Sequence, residues 1–184
     1  MTILVVDNGS PFTSNIVNVL EKLNQKYDCK SYTEVSNLLS YNKIILSGRQ
    51  RNDRYINAVN SSIVKSCYSH GVPLLGICYG GEIISLTFGG SIHKIGRIHG
   101  VEQIRVLEEN ILIPKKGTIQ VYESHTYSVA RLPREFKSVA SSRYSSHELF
   151  FHTTQKIFGT QFHPENSGEI GVDILRNFLN VTNE

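Results

Sequence analysis

Cysteine is scarce in this chain and odd in number, with three residues in 184 and no CxxC pair. That excludes a disulfide framework and a structural zinc site and points to a reducing compartment. No apolar run approaches the roughly 18 residues that a membrane-spanning helix needs. The opening Thr2-Ile3-Leu4-Val5-Val6-Asp7 is too short, and too soon followed by a charge, for a signal peptide. A soluble cytoplasmic protein with no membrane partner is expected. HExxH, a Walker loop and a dinucleotide fingerprint are all missing, so neither metal nor other cofactor is expected. The net charge is only +3 and the Lys and Arg residues are scattered, as on a solvated face, so no nucleic-acid partner is expected either. Arg49, Arg51 and Arg54 form the one cationic cluster that could serve docking or a phosphate. Asn8, Asn60 and Asn180 each open a glycosylation sequon, which without an export signal reads as chance.

What is present is a repeated strand-turn-helix cycle. Residues 3–6 are apolar and end at Asp7-Asn8-Gly9-Ser10-Pro11. Ile16, Val19, Leu20 and Leu23 then recur at helical spacing behind a cap at Thr13 or Ser14. The cycle returns as a strand over 43–48, a helix with Ile56, Val59, Ile63 and Cys67 on one face, and a strand over 72–77. A further helix over 82–88 is stopped by Gly89-Gly90. Such alternation indicates βαβ units, hence a mostly parallel sheet with helices on both faces. Between 91 and 162 the texture changes to strands joined by loops, among them 101–106, 118–122 and 136–141, a β-rich excursion. A last strand leads through Phe162-His163-Pro164-Glu165 to a helix with Ile170, Ile174, Leu175 and Phe178 on one face. No interdomain linker appears, so residues 1–184 are expected to form one domain.

Cys78 lies between a buried-type strand and a helix start, with Gly76 two positions before it and Gly80 two after. This is the cysteine form of a nucleophile elbow, where strand and helix approach too closely for neighbouring side chains. The helix N-terminus favours thiolate, and its amides can receive a developing oxyanion. Cys29 and Cys67 lack the glycine frame and read as ordinary cysteines. A cysteine nucleophile needs a base and a group that orients the base. His163-Pro164-Glu165 supplies both, because proline biases the preceding residue toward extended geometry and side chains two apart then leave the same face. The other histidines, His70, His93, His99, His147 and His152, read as structural or exposed, and Phe158 and Phe162 as core.

Gly76-Ile77-Cys78-Tyr79-Gly80 together with Gly159-Thr160-Gln161-Phe162-His163-Pro164-Glu165 resembles the class I (triad) glutamine amidotransferases. The likeness covers almost the whole chain, since Asp7-Asn8-Gly9-Ser10, Ile45-Leu46-Ser47-Gly48 and Glu123-Ser124-His125 fall in family order. It implies a flavodoxin-like doubly wound fold and hydrolysis of L-glutamine through a γ-glutamyl thioester. It also implies delivery of ammonia to an ATP-dependent synthase or synthetase on another chain. By the same resemblance Cys78, His163 and Glu165 form the triad, and the amides of Gly48 and Tyr79 the oxyanion hole. Ser124, His125 and position 82 hold the substrate. The chain departs from the family at Gly48-Arg49-Gln50, where Gly-Gly-Pro is usual, and at Glu82, where glutamine is usual. A carboxylate there accepts hydrogen bonds and donates none unless protonated. Tyr127 stands where guanylate-synthesising relatives have an acid. Asp7-Asn8-Gly9-Ser10, Glu123-Ser124-His125 and Leu132-Pro133-Arg134-Glu135-Phe136 look like the free-standing glutaminase subunit of GMP synthetases. Phe12-Thr13-Ser14-Asn15 looks more like the anthranilate and aminodeoxychorismate relatives. A γ-glutamyl hydrolase or peptidase and a non-catalytic regulatory module are the remaining alternatives.

Overall fold

The computed structural model describes residues 2–52 and 54–182. Its strands form one nine-stranded sheet in the order β2-β1-β3-β4-β9-β8-β7-β5-β6. The parallel part consists of β1 (Thr2–Asn8), β2 (Lys26–Ser31), β3 (Lys43–Arg49), β4 (Leu74–Ile77) and β9 (Ile157–Thr160). With β9 in fifth place this is the 2-1-3-4-5 order of flavodoxin-like folds. The antiparallel part consists of β8 (Leu149–His152), β7 (Phe136–Ser141), β5 (Ser91–Val106) and β6 (Gly117–Arg131).

Apolar residues on both faces of the parallel strands explain the two-sided core. Ile3, Val5, Ile45 and Leu75 pack on one side of the sheet with α1 (Thr13–Lys22) and α4 (Gly168–Leu179). Leu4, Val6, Ile44, Leu46 and Leu74 pack on the other with α2 (Arg54–His70) and α3 (Tyr79–Thr87). Continuous apolar runs are what strands covered on both faces require. Phe158 and Phe162 are core residues, as expected.

Several local expectations differ from the structure. Neither Thr13 nor Ser14 caps α1: Phe12 occupies the N-cap without a side-chain bond, and the Thr13 hydroxyl donates to Asp7 Oδ1 at 2.7 Å. Helix α3 begins at Tyr79 rather than 82, directly behind Cys78. Strand β2 went unread because Lys26-Tyr27-Asp28-Cys29-Lys30-Ser31 is an exposed edge with no apolar run. The excursion contains far longer strands than expected, since β5 and β6 run for 16 and 15 residues as a twisted antiparallel pair. Asn8 and Asn60, two of the three sequon asparagines, are buried against each other, with Asn60 Nδ2 donating to Asn8 Oδ1 at 2.7 Å. Asn8 Nδ2 also donates to the Ser47 carbonyl at 3.1 Å, tying the ends of β1 and β3 together.

Candidate active site

The site lies beyond the carboxyl ends of β1, β3, β4 and β9, where an open α/β sheet places its ligands. A cavity of about 660 Å³ opens there, lined among others by Ser10, Arg49, Cys78, Glu82, Ser124 and His163. Cys78 sits at its base with φ 52° and ψ −107°, a backbone conformation that side chains rarely adopt. Such strain costs about 1–3 kcal/mol and persists because the surroundings hold it. Here the Cys78 amide donates to the Thr160 carbonyl at 2.7 Å, and its own carbonyl accepts the Glu82 amide at 3.0 Å. The glycine frame has the steric role read from the sequence. A Cβ on Gly76 would meet the Gly80 carbonyl at 2.3 Å, and one on Gly80 would meet the Leu46 carbonyl oxygen at 2.5 Å.

His163 faces this turn from the end of the β9 connection. Its Nδ1 lies 2.8 Å from Glu165 Oε1, with both side chains buried. The expected common direction holds, though only His163 is extended, with φ −102° and ψ 94°, while Glu165 belongs to a short 3-10 turn at Pro164–Asn166. Three residues that sequence reasoning missed hold His163, two by its backbone and one by its ring. The His163 amide donates to the Tyr122 carbonyl at 2.8 Å. Ser167 Oγ donates to the His163 carbonyl at 2.7 Å and accepts the Tyr122 amide at 2.9 Å. The Phe12 ring meets the imidazole edge-on, with centroids 4.9 Å apart. No periodicity announces these contacts, because each joins segments far apart in sequence.

Burial pushes the His163 imidazole down, but Cys78 and Glu165 outweigh it and hold the ring well above the ordinary histidine range. Burial pushes the Cys78 thiol up, and His163 opposes that rise. Thiolate and imidazolium therefore form as a coupled pair. Thiolate at Cys78 thus depends on His163. Among the described residues no group of three or more His, Cys, Asp and Glu is placed to hold a metal ion.

Gly48 backs directly onto this pair, since a Cβ there would lie 3.2 Å from His163 Cε1 and 3.8 Å from Cys78 Cβ. The unusual Arg49 is well anchored. Its guanidinium lies 3.9 Å from the Tyr79 ring centroid and donates to Asn57 Oδ1 at 2.6 Å, which also accepts the Tyr79 hydroxyl at 3.0 Å. Arg51 reaches the cavity as well, whereas Arg54 starts α2. Glu82 is buried, and its carboxyl is pushed up by that burial against the pull of Gln161 and Arg49. Gln161 Nε2 donates to Glu82 Oε1 at 3.3 Å. The direction is toward the neutral carboxyl, which has a proton to donate.

The Ser124 carbonyl is 3.9 Å from the Cys78 sulfur. His125 also borders the cavity, but its ring is engaged with protein: Nδ1 lies 2.8 Å from the Tyr127 carbonyl oxygen and Nε2 lies 2.9 Å from Glu123 Oε2. His99, read as ordinary, belongs to the rim, with Nδ1 3.3 Å from Ser124 Oγ. His152 is a core residue packed on Phe136 and Phe88, and His70 and His93 are exposed.

The family model for class-I glutamine amidotransferases matches residues 4–181. One of the subunits of the glutamine-hydrolysing GMP synthase of Thermoplasma acidophilum is 35% identical over 188 residues, covering 98% of this chain and 92% of the relative. The glutamine-hydrolysing GMP synthase of Petrotoga mobilis is 31% identical over 96% of this chain, which spans only 35% of that longer protein. A crystal structure described as that of a GMP synthase subunit from T. acidophilum superimposes with a TM-score of 0.86 at 31% identity, covering 97% of this chain and 92% of that one. The chain belongs to the class-I glutamine amidotransferase family.

Proposed function

We propose that this protein is the glutaminase subunit of a two-chain GMP synthase, one amidotransferase unit over residues 1–184 that works in the cytoplasm. The Cys78 thiolate attacks the γ-carboxamide carbon of L-glutamine. As the C–N bond breaks, the departing nitrogen takes a proton from His163 and leaves as ammonia. A water molecule then gives its proton to His163 and attacks the thioester, releasing glutamate and restoring the thiol. Glu165 stabilises the imidazolium, and the amides of Gly48 and Tyr79 receive the oxyanion. Ser124, His125 and Glu82 border the place where the amino-acid end of glutamine lies. The observation that carries this reading is the strained Cys78 elbow coupled to a His163 that sits 2.8 Å from buried Glu165.

The acceptor is assigned from those relatives that are single subunits of GMP synthases, which match this chain nearly end to end. A synthetase chain that activates the acceptor with ATP is the corresponding partner for the ammonia. The experiment compares glutamate release from glutamine by the wild type and Cys78→Ala, alone and with the copurified partner. Turnover that is faster with partner and lost in Cys78→Ala is expected, and undiminished turnover in that variant would overturn the proposal. Glu82 and Arg49 favour one second reading, hydrolysis of γ-glutamyl peptides. A strong preference for such peptides over free glutamine would select it.

A further inference from the structure

Beneath the cavity wall lies a group of buried ionisable side chains that the reaction above does not use. Glu123 and His125 are two apart on β6 and turn to the same side, with side chains 1% and 2% exposed and Nε2 2.9 Å from Oε2. The contact is short but off the axis of the ring N–H, so it is a charge or proton contact more than an in-line hydrogen bond. His125 Nδ1 lies 2.8 Å from the Tyr127 carbonyl oxygen, which can only accept, so Nδ1 carries a proton. Nε2 then either bears a second proton against a carboxylate or offers its lone pair to a protonated carboxyl. Both arrangements contain the same extra proton. Without it a neutral imidazole has one N–H for two acceptors, and either the Tyr127 contact or the Glu123 contact fails.

The Tyr127 contact falls where the sheet gives little support. His125 pairs with Ile98 and Tyr127 with Lys94, so residues 95–97 of β5 bulge opposite Thr126 alone. The side chain of His125 therefore spans one of the two irregular steps in the pairing of β6 with β5, the one beside the cavity. We infer that Glu123 and His125 are positioning residues, and that the proton they share holds residues 124–127 in the shape that receives the amino-acid end of the substrate. This rests on the glutaminase reading for the identity of the substrate. The other groups facing the pair are Glu148 from the turn before β8, whose carboxyl shares a hydrogen bond with that of Glu123, Cys78 from the elbow, Glu82 from α3, His163 from beyond β9 and Glu102 from β5. Glu148 is itself fully buried, and Ser142 Oγ donates to its Oε1 at 2.6 Å. The pair's own tendencies agree with a proton held near neutrality: burial pushes Glu123 up to about 7 and pushes His125 down.

The test uses the full chain and two readouts. Labelling of Cys78 by diazo-oxo-norleucine, which carries the amino-acid end, is measured against concentration, with iodoacetamide, which lacks that end, reporting thiol reactivity alone. Between about pH 6 and 9 the half-saturating concentration for the wild type should rise about tenfold, the cost of one lost buried hydrogen bond, beyond any change in the iodoacetamide rate. In Glu123→Gln, whose amide donates at every pH, it should stay flat. In parallel, nitrogen NMR of histidine-labelled protein should show the His125 ring nitrogens shifting over the same range in the wild type, as the proton shared at Nε2 is lost, and staying unchanged with Nδ1–H kept in Glu123→Gln. A flat wild-type profile, or a variant that tracks the wild type, would overturn the inference. Failure of the glutaminase reading looks different: no labelling by the glutamine analogue at any pH while iodoacetamide still modifies Cys78. In that case the substrate role falls, and the NMR profile decides the proton by itself.

Discussion

In the proposed mechanism Cys78, His163 and Glu165 divide the chemistry unequally. Replacing the proposed nucleophile removes the covalent route altogether, so Cys78→Ala should lower glutamine turnover by at least about 1000-fold. Glu165 acts only through His163, whose Nδ1 it faces at 2.8 Å. Glu165→Gln should therefore reduce kcat by about 100- to 10,000-fold while changing KM little, as steady-state kinetics would show. That these side chains are brought together was legible in the sequence, because a glycine-framed cysteine and an acid two residues past a histidine are local patterns. The supports were not. Phe12, Tyr122 and Ser167 hold His163 from three separate segments, and nothing in their own neighbourhoods marks them. Arg49 was visible as a departure, but its anchoring on Tyr79 and Asn57 depends on a loop, a helix and an elbow meeting.

At the scale of the element, the glycine frame at the junction of β4 and α3 has the steric role read from the sequence, although α3 starts three residues earlier than expected. Gly80 abuts the β3 backbone, and an added methyl would lie 2.5 Å from the Leu46 carbonyl oxygen. Backbone cannot swing aside as a long side chain can, so Gly80→Ala should destabilise the fold by about 1–3 kcal/mol and lower Tm in a thermal melt. The parallel half was readable because its strands are short, apolar and separated by helical periodicity. The antiparallel half was read as broken pieces because β5 and β6 alternate polar and apolar residues along an exposed pair, interrupted by the bulge at 95–97. Edge strand β2 carried no hydrophobic run, since it lies at the sheet margin and within the sheet pairs with β1 alone.

For the whole molecule, the buried carboxyls make stability depend on pH. Burial raises Glu123 from its unfolded range to about 7, so the fold prefers the neutral acid. Its contribution is complete below the unfolded value and is lost as pH rises through about 7. Glu148, raised further by burial and by Glu123, acts in the same direction. Thermal melts of the wild type should show Tm falling across this window, and Glu123→Gln should show a weaker fall.

The proposed assignment of the molecule stands on one reactive sulfur among three. Cys29 is exposed and Cys67 is buried with its thiol pushed up to about 12, so a general electrophile and a glutamine-like one should choose differently. The most direct test is peptide mapping by mass spectrometry after treatment with diazo-oxo-norleucine. A glutaminase built on the Cys78 elbow predicts stoichiometric modification at Cys78, blocked by glutamine and absent in Cys78→Ala. Modification at Cys29 instead, or none at all, would contradict it.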